Sequence, residues 1–127
     1  MGAVTTAIDK TSQKVGAICA GPQNCAGAST KTIKITLPAS YDAGGSALNL
    51  SSYFTSRVYW AVPLTPFCIN ASTGAVYIGL VPGTAKTDTP GGYSPTDWKV
   101  RSAATATESS AAANLSAYTG YILVCGE

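Results

Sequence analysis

Apolar and polar residues alternate with a period of two along much of this chain. Ile33, Ile35 and Leu37 are separated by Lys34 and Thr36. That spacing predicts a strand with one buried and one wet face, ended by Pro38. Val58, Trp60, Val62 and Leu64 alternate in the same way with Tyr59, Ala61 and Pro63. Read at face value, the pattern puts Trp60 in the core beside Val58 and Val62. Pro63 donates no ladder hydrogen bond, so the strand is an edge or stops there. A short apolar run at 67–69, a turn-forming stretch at 70–74 and the alternation Val76, Ile78, Leu80 read together as a hairpin. Trp98, Val100 and Ser102 alternate with Lys99 and Arg101, and a last strand covers about 118–125.

The remaining segments lack that period. Residues 82–96 hold Pro82, Pro90 and Pro95 beside Gly83, Gly91 and Gly92, which predicts a long loop. The alanine-rich stretch 108–113 predicts a helical turn, since alanine is the best helix former. Residues 1–30 are rich in Ala, Gly, Ser and Thr and carry a Gly-Pro break at 21–22. They read as an extended N-terminal arm or long loop, with one short strand around Gln13–Cys19. A chain of 127 residues is one domain. The expected fold is therefore all-β: a single β-sandwich, jelly-roll-like or immunoglobulin-like, of about six to eight strands over 31–127, preceded by the arm.

One internal echo stands out. Asn49-Leu50-Ser51-Ser52-Tyr53-Phe54 matches Asn114-Leu115-Ser116-Ala117-Tyr118-Thr119 in four of six positions. Each copy precedes a strong strand. The pattern predicts a short turn that seats Leu in the core and a Tyr where the strand begins, its hydroxyl pairing with nearby backbone.

Composition narrows the function. There is no histidine, and only 8 basic and 6 acidic residues occur in the chain. Hydrolases of the Ser-His or Cys-His kind are excluded. No phosphate-binding or dinucleotide-binding glycine motif is present. Asp88 and Asp97 are the best-placed acids for carboxylate-pair chemistry, but a solvated loop surface accounts for them more simply. No catalytic residue, metal ligand set or cofactor is expected. The net charge of +2 is too small for steering nucleic acid. No run reaches the ~18–20 apolar residues of a membrane span, and no secretion signal opens the chain, so synthesis in a cytosol is expected.

Cysteines at 19, 25, 68 and 125 leave alternatives open. A Gly-Pro turn between Cys19 and Cys25 permits a disulfide there. A Cys68–Cys125 pair is a second option, and buried free thiols are the default for both of those residues. The candidate contact residues are Tyr59, Tyr93 and Trp98, aromatic types that interface centres favour. The mildly basic segment 1–34, net +3, adds Lys10 and Lys14 as candidates for touching an acidic surface; a solvated segment is the plainer reading.

The segment Ile35-Thr36-Leu37-Pro38-Ala39-Ser40-Tyr41-Asp42-Ala43-Gly44-Gly45-Ser46-Ala47-Leu48-Asn49-Leu50-Ser51 resembles small virion proteins of tailed bacteriophages. So does the ending Asn114-Leu115-Ser116-Ala117-Tyr118-Thr119-Gly120-Tyr121-Ile122-Leu123-Val124. Head decoration, or cement, proteins are nearest in kind. The resemblance implies a non-enzymatic protein made in the host cytoplasm. It would bind the outside of a shell of major capsid protein as a homo-oligomer, a trimer by preference, and stabilise the head. It transfers no ligand residues. Two alternatives stand beside it: a carbohydrate-binding β-sandwich using Tyr59, Tyr93 and Trp98, and another virion component such as a tail, fibre or main coat subunit.

Overall fold

The computed structural model describes residues 2–8, 13–14, 28–65, 67–70, 74–104 and 107–127. Among them are nine strands: β1 (Thr5–Ile8), β2 (Gln13–Lys14), β3 (Ser29–Thr36), β4 (Ser46–Leu48), β5 (Val58–Pro63), β6 (Phe67–Asn70), β7 (Gly74–Val81), β8 (Trp98–Ala103) and β9 (Thr119–Gly126). The fold is all-β, as the alternation predicts.

The two-sheet sandwich is corrected. All the strands belong to one antiparallel sheet, in the order β1-β3-β9-β6-β7-β8-β4, with β2 beside β3 and β5 beside β9. The sheet curls strongly into a half-barrel. The physical reason lies in β9. It pairs along its whole length with β3 on one side. On its other side it pairs with β5 and then, end to end, with β6. From β6 the ladder continues without interruption through β7 and β8 to β4. Among the described residues no second sheet covers the inner face, so the sheet closes over its own side chains. The curl returns to its start: the Val4 N–H donates to the Ala47 carbonyl at 2.8 Å, and Ala3 bridges Ala47 in parallel.

One core fills the curl. Ile33 and Ile35 of β3, Ile122 and Val124 of β9, Cys68 of β6, Val76 of β7, Val100 of β8 and Leu48 of β4 are all buried within it. The hairpin expected around 70–74 is present as β6–β7.

The described part of 1–30 lies on the sheet. β1 pairs with β3 from Thr5↔Thr36 to Ile8↔Ile33, and Val4 is buried in the core. The helical turn expected at 108–113 is instead an irregular turn, with Ala112 at φ 65. Its backbone is committed elsewhere: the Ala112 N–H donates to Tyr41 O at 2.7 Å and the Tyr41 N–H to Ala113 O at 3.0 Å.

The sequence echo is a structural one. Ser51 N–H donates to Asn49 Oδ1 at 2.9 Å, and Ser116 N–H to Asn114 Oδ1 at 3.1 Å. Leu50 and Leu115 are both buried, and each accepts from the N–H of the following Tyr at 3.0 Å. These are two Asx turns that seat a Leu in the core, as the echo predicts. The Tyr53 hydroxyl, however, bonds the Thr6 side chain at 3.0 Å rather than backbone. It ties the N-terminal strand to the first turn.

Candidate functional site

The site that the fold builds is the convex outer face of the sheet. It originates in a β-bulge. Val58 pairs with Gly126 and Trp60 with Cys125, so Tyr59 is an extra residue and the register shifts. One added residue reverses which side chains point inward. Val58 stays in the core, Ala61 packs against it, and Trp60 and Val62 turn outward. The expectation that Trp60 and Val62 join Val58 in the core is corrected. Trp60 is half-buried in a small outer cluster with Ala28, Cys125 and Tyr59. Val62 and Leu64 are 45% and 48% exposed.

The ladder registers assemble these residues into rows across the outer face. Val62 lies beside Leu123, which lies beside Thr32. The Leu64 N–H donates to the Tyr121 carbonyl at 2.9 Å, and Tyr121 pairs with Lys34. Ile69 pairs with Thr119 on one side and Ala75 on the other. Tyr77 pairs with Ala103. Ile69 is 49% and Tyr77 57% exposed, so the ladder sets large exposed apolar side chains along the centre of the face. Apolar patches of this kind mark contact sites more often than scattered single residues do.

A polar border follows on β8. Lys99 and Arg101 alternate outward between buried Trp98, Val100 and Ser102. Arg101 Nη2 donates to Glu108 Oε1 at 2.7 Å. Glu108 Oε2 accepts from the Tyr41 hydroxyl at 2.7 Å and the Gly44 N–H at 2.5 Å. The Tyr41 hydroxyl in turn accepts from the Ser102 N–H at 3.0 Å. The Tyr41 hydrogen bond, then that of Arg101, holds the Glu108 carboxyl down at about 2. It is therefore ionised throughout the ordinary pH range. A shallow cavity of about 310 Å³ lies here, lined by Tyr77, Gly79, Arg101, Ala103 and Glu108 among others.

The aromatic contact residues predicted from sequence do not come together on the surface. Trp98 is 2% exposed and belongs to the core, which corrects its assignment as a platform. Its ring meets Tyr93 edge-to-face at 5.7 Å, and Tyr93 itself packs on the core. Tyr59 is half-buried in the outer cluster. Lys14 lies in β2, paired through its backbone with Ser29. Lys10, Cys19 and Cys25 lie outside the described residues. Cys68 and Cys125 are free and buried. Burial pushes the Cys68 thiol up to about 11, so it carries no thiolate at neutral pH.

Asp88 and Asp97 are each hydrogen-bonded within the loop region. Asp88 receives both terminal nitrogens of Arg57, each at 2.8 Å, and Arg57 also donates to Gly91 O at 2.7 Å. Asp97 accepts the Thr84 N–H at 3.0 Å as well as the Thr84 hydroxyl. Each carboxylate fastens the 82–97 loop, and its hydrogen bonds lower its pKa. Among the described residues no group of His, Cys, Asp and Glu has the arrangement of a metal site. No helix among them is long and apolar enough to cross a membrane.

Sequence reasoning missed Val62, Leu64, Ile69 and Tyr77 as surface residues. The Tyr-Trp pair after Val58 gives no local warning of a bulge. Only the pairing with β9 makes one residue extra. Comparison with protein-family models, curated proteins and solved structures returned no match.

Proposed function

We propose that this chain is a non-enzymatic structural protein of a phage virion. In this reading it is a decoration protein that sits on the outer surface of the head, contacts the major capsid protein and stabilises the shell. The observation that carries the reading is the outer face of the sheet. Val62, Leu64, Ile69 and Tyr77 are between 45% and 57% exposed, on a rigid ladder. A surface of this kind suits broad contact with another protein better than it suits chemistry. A repeated shell component also gains from symmetry, because modest contacts are multiplied by avidity. The groups that bear charge fit the same role: Asp88, Asp97 and Glu108 are spent on fastening loops. Homo-oligomerisation, as a trimer, belongs to the same proposal.

Counting copies in purified virions tests it. Hundreds of copies per particle, located on the head by cryo-EM, are expected. Heads lacking the protein should release DNA at lower temperature and recover on its addition. A few copies confined to the tail would replace decoration with a tail or fibre role. Absence from the particle would overturn the virion reading.

A further inference from the structure

The charges around the outer face specify the chemistry of what covers it. None of the nine strands contains Asp or Glu. The strands do carry cations, and three of them point outward around the apolar centre. Lys34 borders it on β3, in register with Tyr121, and Arg101 and Lys99 border it on β8. All three are exposed. Arg101 is neutralised by Glu108, whereas Lys34 and Lys99 form no ion pair among the described residues. The result is an apolar centre with an unbalanced cationic border.

A second copy of this chain does not complement that border. Every described acidic side chain is already engaged: Asp88 and Glu127 with Arg57, Asp97 with Thr84, Glu108 with Tyr41 and Arg101, and Asp42 is not free either. Two copies apposed through the same face would bring Lys34 and Lys99 of each towards like charges and, among the described residues, offer no uncommitted carboxylate. Nor does the face suit single-stranded nucleic acid: its exposed centre is mostly aliphatic, Val62, Leu64 and Ile69 with Tyr77, and a net charge of +2 gives little attraction for phosphates. We infer that the outer face formed by β5, β6, β7 and β9 docks onto a different protein. That partner surface is apolar at its centre and carries carboxylates where it meets Lys34 and Lys99. The inference rests on the decoration reading for the identity of the partner, the major capsid protein. The surface and its polarity come from this chain alone. Apolar anchors then set how long the complex lasts, while border charges set register and association rate.

Binding of the full-length protein to heads assembled from the major capsid protein, measured by co-sedimentation, tests the inference. Leu64→Asp and Ile69→Asp replace side chains about half exposed, so they should melt like the parent. Each is expected to weaken binding about tenfold or more. Lys34→Glu and Lys99→Glu are expected to weaken it about threefold at low salt and hardly at all at high salt. If the parent binds heads and Leu64→Asp and Ile69→Asp bind equally well, the docking face is wrong although the decoration reading stands. If the Glu variants bind as well as the parent or better at low salt, the carboxylate border is wrong. An oligomer that Ile69→Asp splits into monomers would make a second copy the occupant and overturn the inference. A parent protein that binds no heads overturns both readings.

Discussion

β3 and β5 flank the same strand, β9, yet send their hydrophobic residues to opposite sides of the sheet. In β3 the alternation is regular: Ile33 and Ile35 are fully buried while Lys34 is exposed. In β5 the alternation is equally regular in sequence, but one bulged residue at Tyr59 inverts it. Val62 therefore faces outward with Leu123 instead of inward with Val124. Hydrophobic periodicity establishes that a strand has two unlike faces. It does not establish which face meets the core, because register belongs to the pairing and not to the segment.

The sharpest test compares the two strands directly. Ile33→Ala empties a fully buried position in β3 and should cost about 2–5 kcal/mol in urea unfolding. Val62→Ala in β5 should stay within about 0.5 kcal/mol, because its side chain is already wet. Equal costs for both would mean that Val62 is covered in the folded protein and that the inversion is wrong.

The bulge itself depends on Gly126. A Cβ there would collide with the Arg57 carbonyl oxygen and the Phe54 ring. Gly126→Ala is expected to cost about 1–3 kcal/mol through overpacking, measured by the same unfolding titration. The variant should also show altered fluorescence from Trp60, the residue next to the bulge. Unchanged stability would remove the close approach that anchors the shifted register.

Much of this fold was legible in the sequence. β3, β7, β8, β9 and the β6–β7 hairpin follow from alternation and turn residues. The Asn49 and Asn114 turns follow from the repeated Asn-Leu-Ser. The single curled sheet was not legible, since it depends on β6 pairing with both β9 and β7, a matter of non-local hydrogen bonds. The site was less legible still. Trp98 looked like a surface platform because it sits beside Lys99 and after a loop, but its register with Leu48 turns the ring into the core. Val62 and Leu64 looked like core because nothing local marks the bulge. The N-terminal strand carries too little apolar signal to be seen: of its four residues only Ile8 is large and apolar, and the side chain that enters the core is Val4, just outside it.

A third, smaller effect concerns the polar border of the outer face. Glu108 has its pKa lowered from 4.5 to about 2 in the folded protein. A depressed carboxyl pKa means that its stabilising contribution is complete above about 4.5 and is lost as pH falls towards 2. Melting temperature should therefore fall across that window, with Asp88 and Asp97 contributing in the same direction. Glu108→Gln should flatten the fall and have its main effect at neutral pH, where the parent's carboxylate is intact. If the parent and Glu108→Gln lose stability in parallel between pH 5 and 2, the Tyr41–Glu108–Arg101 connection is not what holds this border.

The smallest predicted effect separates the two sides of the sheet most cleanly, because it uses the same residue type. Gly79 lies in β7 and Gly126 in β9, and both are strand glycines. A Cβ at Gly79 would have no heavy atom within 4 Å, the opposite of Gly126. Its φ is not in the left-handed region, so a side chain brings no backbone strain there. Gly79→Ala should then stabilise by about 0.5 kcal/mol, since glycine in a strand gives up more chain entropy on folding than alanine does. Thermal unfolding resolves a shift of that sign. A destabilised Gly79→Ala would place something against β7 that the curled sheet leaves open, and the outer face would then be an inner one.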